Sequence, residues 1–239
     1  MGFLYQIGIH LFILGMRTAS LFNQKIKKGI QGRNNWTKSL DDIPENANVI
    51  WFHCASLGEF DQGLPVMTAL KQNTPNAFIL VTFFSPSGID HYQKREHPVD
   101  KTLYLPFDTK RNARTFLKKA NPTLAIFVKY EFWPNFISEC ARAKASIISI
   151  STLLRNKQIY FKWYGGFFKH ALKKIDYFFV QNQQSKELLE SIGVNQVEIS
   201  GDTRYDKVIQ HKNSSTSTDS VLSQFVAEGP ILIAGSSWE

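Results

Sequence analysis

The chain has few of the residues that form disulfides or bind metals. Its two cysteines, Cys54 and Cys140, lie in unrelated segments and show no CxxC spacing, so a zinc site has no support. The six histidines form no HExxH or HxH pattern, and we expect no metal centre. The cysteines are predicted to be buried free thiols in a reducing compartment.

Motifs of several large enzyme classes are also missing. There is no GxxxxGK[ST] for a P-loop nucleotidase, and no GxGxxG after a strand for a dinucleotide-dependent oxidoreductase. A GxSxG nucleophile elbow is absent as well. The basic residues are scattered and match no nucleic-acid-binding fold, so we expect no nucleic acid partner.

The chain has fewer acidic than basic residues, and this indicates which kinds of partner it can bind. The chain has 28 Lys and Arg against 20 Asp and Glu, a net charge of +8 and a pI of about 9.4. Such a balance favours an anionic partner, which on charge alone can be a phosphorylated ligand, nucleic acid or an anionic membrane face, and a uniformly solvated basic surface is also compatible with it.

Charge is entirely absent from residues 1–16, which are mostly apolar. This run is shorter than the ~20 residues that span a bilayer, and it lacks the preceding positive charge of a secretory signal. Basic residues follow it instead, so residues 1–40 are predicted to form a helix and a basic segment that lie against an anionic membrane surface. The alternative is a helix packed on the protein's own domain. The basic residues are Arg17, Lys25, Lys27, Lys28, Arg33 and Lys38.

Short apolar runs alternate with helix-like segments along residues 41–210. Such runs are typical of a parallel sheet covered on both faces, so we predict a doubly wound α/β domain. Helices are expected at 60–70, 109–120, 135–143 and 185–192, the last with Ser185 as N-cap and Gly193 at its end. Strands are expected at 49–52, 77–83, 102–105, 124–128, 145–150, 177–180, 196–199 and 231–234.

The pattern changes in residues 211–239. Residues 211–220 are rich in Lys, Asn, Ser and Thr and are predicted to form a linker. A strand at 231–234 then leads into a Gly-Ser loop, which is how a nucleotide-binding α/β unit begins. We therefore expect a chain truncated after the first strand of a second domain.

Three polar clusters follow predicted strands, and a parallel sheet places such strand ends at one edge. They are residues 56–59, 129–135 and 201–206, and they bring together two carboxylates, two cations and an aromatic ring, a set that suits a sugar or phosphate-bearing ligand. Each also has a structural explanation. Glu59 can stabilise a helix N-terminus, and Arg204 can be a surface charge in a turn. The segment 129–135 can be the start of a helix with Pro134 in its first turn. In that case Trp133 would lie in the core.

Residues 50–59, 81–88, 104–108, 131–135 and 201–206, in this order, resemble 3-deoxy-D-manno-octulosonic acid (Kdo) transferases. The resemblance implies the N-terminal half of a two-domain GT-B glycosyltransferase that uses no metal or other cofactor. It also implies CMP-Kdo as donor, held by the C-terminal domain. The acceptor would be a lipid A precursor held by the N-terminal domain at the cytoplasmic face of the inner membrane.

The same resemblance implies roles for particular residues. Glu59 occupies the general-base position of an inverting transfer. Lys129 stands where the family has a glutamate thought to stabilise the transition state, and Arg204 stands where it has a lysine, which changes a point charge into a planar fork. The implied acceptor-binding residues are Ser56, Gly58, Glu131, Trp133 and Asn135, and the implied donor-binding residues are Gly235, Ser236 and Ser237.

Two other functions stay open at this point. One is a different GT-B sugar-nucleotide transferase or an epimerase, which would share the fold and differ in ligand. The other is a lipid-binding half-domain without catalysis. Because the donor half is expected to be missing, residues 1–239 alone are predicted to be inactive as a transferase.

Overall fold

A parallel β-sheet forms the centre of the computed structural model, which describes residues 2–206, 208 and 209. Within these residues the sheet has seven strands in the order β3-β2-β1-β4-β5-β6-β7, and every neighbouring pair is parallel. The strands are β1 (Asn48–Cys54), β2 (Ala77–Phe83), β3 (Lys101–Tyr104), β4 (Leu124–Val128), β5 (Ser146–Thr152), β6 (Tyr177–Val180) and β7 (Val197–Ile199).

Helices connect the strands and cover both faces of the sheet, with short 3-10 turns at Tyr92–Lys94 and Ile159–Phe161. They are α1 (Gly2–Ala19), α2 (Gln24–Gln31), α3 (Trp36–Ser39), α4 (Leu57–Asn73), α5 (Pro86–His91), α6 (Lys110–Ala120), α7 (Pro134–Arg142), α8 (Gly166–Leu172) and α9 (Gln183–Glu190).

Each face of the sheet packs into its own hydrophobic cluster. Successive residues of β1 point to opposite faces, so Trp51 belongs to one cluster and Phe52 to the other, and both are fully buried. Because the sheet is buried on both faces, its strands appear in the sequence as continuous apolar runs. Cys54 and Cys140 are both buried and free, as predicted, and burial raises the pKa of each thiol.

The strand predictions agree closely with the observed sheet. Strands 77–83, 124–128 and 177–180 have the predicted bounds, and the other four within the described residues differ by one or two residues at an end. The predicted linker 211–220 and strand 231–234 lie outside the described residues, as do Gly235, Ser236 and Ser237.

One capping prediction is wrong. The cap of α9 is Asn182, whose side chain accepts from the Ser185 backbone N–H at 2.9 Å. The Ser185 hydroxyl instead accepts from the Leu154 backbone N–H at 2.9 Å, which binds a loop to the helix. The helix ends at Glu190, two residues before the predicted end, and Gly193 lies in the turn that follows. Its φ of +79° is a conformation that glycine adopts without strain.

The chain divides into two compact units, Met1–Arg204 and Tyr205–Glu239. Helix α1 belongs to the first unit together with the whole sheet. One side of α1 packs on the domain through Tyr5, Gln6 and the buried Ile9. This side agrees with the alternative prediction of a helix packed on the protein's own domain. Its other side is apolar and exposed to solvent.

Candidate functional site

Ser56 and Glu59 lie where β1 passes into α4, at the carboxyl edge of the sheet. Helix α4 begins at Leu57, so Glu59 is in its first turn rather than before the predicted helix at 60–70. Ser56 is the N-cap residue, but its hydroxyl donates to the Glu59 carboxylate instead of capping a backbone N–H. Gly58 lies between them in the first turn. Glu59 is 8% exposed, so its carboxylate is held by specific partners.

Lys129 is the charged partner of Glu59. It directly follows β4, the neighbour of β1, and its Nζ lies 3.6 Å from Glu59 Oε1. The backbone of Lys129 has a φ of +74°, which costs a non-glycine residue energy and is often found at functional sites. The lysine therefore lies beside the carboxylate proposed as the base, with its ammonium also 5.3 Å from the Tyr130 ring.

Glu131 is a second, half-buried carboxyl group at the same edge. Burial raises its pKa, the Glu59 carboxylate raises it further, and Lys129 opposes both effects. The cluster thus combines Glu59, Glu131 and Lys129. In this arrangement Glu131 is more readily protonated than an ordinary glutamate, because burial and the Glu59 carboxylate both raise its pKa.

Trp133 is half-buried and lies at the start of α7, which begins at Pro134. The helix start proposed from the sequence is therefore confirmed. The indole stacks on Phe84 with ring centroids 5.2 Å apart, and its N–H donates to Nε2 of His53 at 3.0 Å. Trp133 thus packs against the core without being enclosed by it.

Asn135 is buried, and its side-chain amide is engaged within the protein. Its Oδ1 accepts from Gln6 Nε2 at 2.9 Å, and its Nδ2 donates to the Asp108 backbone oxygen. The Asp108 carboxylate accepts from the backbone N–H groups of Asn135 and Phe136, at 3.1 and 3.0 Å, and from the Tyr5 hydroxyl at 2.5 Å. These contacts join α1 to the first turn of α7, and the acceptor-binding role of Asn135 stays a prediction.

Burial raises the pKa of Asp108 to about 6, although three hydrogen bonds favour its ionised form. Since the folded-state pKa lies above the unfolded value, the contribution of this group to stability is complete below about pH 4. It is lost as the pH rises through about 6. The Tyr5 hydroxyl lowers this pKa, so it reduces that loss.

We expect Tyr5→Phe to lower the free energy of unfolding by about 1.5–3 kcal/mol, the range for a hydrogen bond to a charged group. The phenylalanine ring keeps the packing on Phe167 and Phe168. The loss should be larger at pH 8 than at pH 4, because the bond is stronger to ionised Asp108. Urea unfolding at both pH values measures it. Tyr177→Phe is the control, since the Tyr177 hydroxyl is exposed; an equal loss in both variants would contradict the assignment.

Arg204 is joined to α4 through Asp202. Its Nε donates to both carboxylate oxygens of Asp202 at 3.1 and 3.0 Å, and Gln62 Nε2 donates to Asp202 Oδ1 at 3.2 Å. Burial raises the pKa of Asp202, but the bonds from Arg204 and Gln62 outweigh it and hold the pKa at about 2. Since Gln62 is one turn beyond Glu59 on α4, the third cluster lies next to the first.

The structure therefore brings residues 56–59, 129–135 and 201–204 to one edge of the sheet. It also adds His53, Asp108 and Gln62, which the sequence reasoning did not assign to the site. A polar residue near the end of an apolar strand could have pointed to His53, and Asp108 ends the resembling segment 104–108, while Gln62 carries no local signal. Within residues 2–206, 208 and 209, no group of three or more His, Cys, Asp or Glu side chains is placed to hold a metal.

The fold, with a sheet-edge site of this kind, is the Rossmann-like α/β half of a GT-B protein. A solved structure of a UDP-GlcNAc 2-epimerase from Neisseria meningitidis is similar, with a TM-score of 0.52 over 69% of this chain and 49% of that chain. At 17% sequence identity this likeness shows the fold alone.

The family follows from the sequence match. Residues 28–207 match the family model described as 3-deoxy-D-manno-octulosonic-acid transferase (kdotransferase), and the chain belongs to this family. A 3-deoxy-D-manno-octulosonic acid transferase from Chlamydophila psittaci is 26% identical over 88% of this chain and 51% of the relative. One from Chlamydia pneumoniae is 27% identical over 71% and 39%. The chain thus spans about half the length, or less, of these relatives.

Proposed function

We propose that the protein to which this chain belongs transfers Kdo from CMP-Kdo to a lipid A precursor in lipopolysaccharide synthesis. The observation that carries the proposal is the buried Glu59 carboxylate, held by Ser56 and Lys129 at the edge of the sheet in a chain of this family. A carboxylate fixed in this way is suited to take a proton from a sugar hydroxyl.

In the proposed step, Glu59 takes the proton of an acceptor hydroxyl as that oxygen attacks the anomeric carbon of CMP-Kdo. The new glycosidic bond forms as the bond to the CMP phosphate oxygen breaks, CMP leaves with the electron pair, and the anomeric configuration inverts. Lys129, whose Nζ lies 3.6 Å from Glu59 Oε1, holds the carboxylate in place. Arg204, oriented by Asp202, stabilises the negative charge that develops on the donor side.

Trp133 and Glu131 are the residues proposed to bind the acceptor, with Ser56 and Gly58 in the loop beside them. Trp133 offers an aromatic surface to an apolar part of the acceptor, and Glu131 offers a carboxyl group to its hydroxyls. Residues 1–239 alone are proposed to yield no product, because the donor is assigned by resemblance to the other half of a GT-B protein.

We further propose that α1 holds the protein on the cytoplasmic face of the inner membrane. The side of the helix away from the domain exposes an apolar stripe, and Arg17 and Lys25 follow it, as expected for contact with acyl chains and anionic head groups. The stripe consists of Phe3, Leu4, Ile7, Leu11 and Leu14.

None of the helices in the described part of the chain combines the length and the apolar character needed to cross a membrane.

The test is product analysis with the full-length protein. We expect a Kdo-lipid product from CMP-Kdo and lipid A precursor, and none when CMP-Kdo is replaced by UDP-GlcNAc. Conversion of UDP-GlcNAc to its 2-epimer would favour the epimerase alternative. Binding of the lipid without any product from either donor would favour a non-catalytic lipid-binding protein.

A further inference from the structure

His53 is a buried imidazole at the carboxyl end of β1 that the proposed chemistry does not use. It is completely buried, and both ring nitrogens have partners. Nδ1 lies 3.0 Å from the Thr82 hydroxyl on β2, and Nε2 lies 3.0 Å from the indole nitrogen of Trp133. The ring therefore connects the core of the sheet to an aromatic residue of the site.

The partners of His53 decide which nitrogen carries its proton. An indole N–H can only donate, so Nε2 must be the unprotonated acceptor. Nδ1 then carries the proton and donates to Thr82 Oγ1, which also accepts from the Trp51 indole at 2.8 Å. The imidazole is neutral in this arrangement, and burial lowers its pKa to about 3.

The consequence for Trp133 is that its position and its chemistry are both restricted. Its single hydrogen-bond donor is occupied by His53, and one side of its ring stacks on Phe84. The indole therefore offers a ligand only aromatic surface, which suits the C–H face of a sugar or an acyl chain rather than a hydrogen-bond acceptor.

We propose that His53, as the Nδ1–H tautomer, is a positioning residue that fixes the Trp133 indole in the acceptor side of the site. Its effect on catalysis rests on the proposed function, whereas its effect on Trp133 does not. The imidazole is itself held by the sheet, since its Nδ1–H donates to the Thr82 hydroxyl on β2. Any ligand that packs on Trp133 then meets a surface that is already ordered.

The first test is nitrogen NMR of the unmodified protein, with the Trp133 indole signal identified from Trp133→Phe. We expect His53 to be the Nδ1–H tautomer, with no titration between pH 5 and 8, and the Trp133 indole proton to exchange slowly. An Nε2–H tautomer, a titration in that range or a rapidly exchanging indole would overturn the proposal. This result needs no variant of His53 to fold.

The second test compares His53→Leu and Trp133→Phe in the full-length protein. Each should reduce kcat/KM for the acceptor by roughly 3- to 10-fold, mainly through KM, and the double variant should be no worse than either. Additive losses would overturn the proposal.

Trp51→Phe is the matched control, because it removes another hydrogen bond to Thr82 and leaves the His53–Trp133 bond in place. We expect it to lower stability while the Trp133 signal and the KM stay unchanged. If Trp51→Phe changed the Trp133 signal and the KM as much as His53→Leu does, the role of His53 would be merely structural. A protein with no transferase activity would refute the proposed function, and the NMR result would still decide the role of His53.

Discussion

Glu59→Gln in the full-length protein should lower turnover by about 10²–10⁴-fold, the range for losing general acid–base catalysis. Glutamine keeps the size of the side chain and can still accept from Ser56. It cannot take a proton from an acceptor hydroxyl, and it loses the charge that Lys129 neutralises. Initial rates of Kdo-lipid formation, at saturating donor and acceptor, measure the loss.

Glu190→Gln is the control for this substitution, because Glu190 is exposed at the C-terminal end of α9, where its carboxylate lies 3.9 Å from Lys186 Nζ of the same helix. It should leave turnover unchanged. Thermal unfolding of both variants checks that the fold is intact. Turnover of Glu59→Gln within a few-fold of the unmodified protein would remove Glu59 as the base.

The second large effect is expected from combined Leu4→Gln, Leu11→Gln and Leu14→Gln on α1. These side chains are 62%, 62% and 61% exposed, so changing them leaves the contacts of Tyr5 and Gln6 with the domain intact. Losing three leucines from a membrane contact costs about 4 kcal/mol, roughly a thousand-fold in partition. The protein should move from the membrane fraction to the soluble fraction, as measured by vesicle sedimentation.

Methionine at the same three positions is the matched control, since it keeps the apolar surface and should keep the protein on the vesicles. High salt should release the unmodified protein only in part, because salt screens the basic residues and not the apolar contact. Unmodified protein that stays fully soluble after lysis without detergent would contradict the role of α1. A triple glutamine variant that still sediments with the vesicles would also contradict the role of α1.

The sequence was sufficient to predict the sheet and the edge at which the site lies. Apolar runs such as 124–128 are local signals, and a parallel sheet necessarily gathers the residues that follow its strands. Glu59 and Lys129 could therefore be expected to lie near each other before their contact was known. The predicted cap Ser185 failed because its hydroxyl binds Leu154, a partner that no local pattern indicates.

The same limit applies to the buried polar groups. His53 contacts a residue 80 positions away and Asp108 contacts one 103 positions away, and the sequence near each gives no sign of its partner. For α1, composition indicates an apolar helix. Which side packs on the domain and which side stays exposed depends on where Asp108 and Asn135 come to lie.

The sequence by itself thus determined the parallel α/β arrangement, the sheet edge that carries Glu59, Lys129 and Arg204, and the likeness to the kdotransferase family. Hydrophobic periodicity and motif order are properties of neighbouring residues, so they can be read without the fold. Only the tertiary structure decided that Lys129 pairs with Glu59 and that His53 holds Trp133. Hydrogen bonds and ion pairs form between side chains that only chain folding brings within about 3–4 Å.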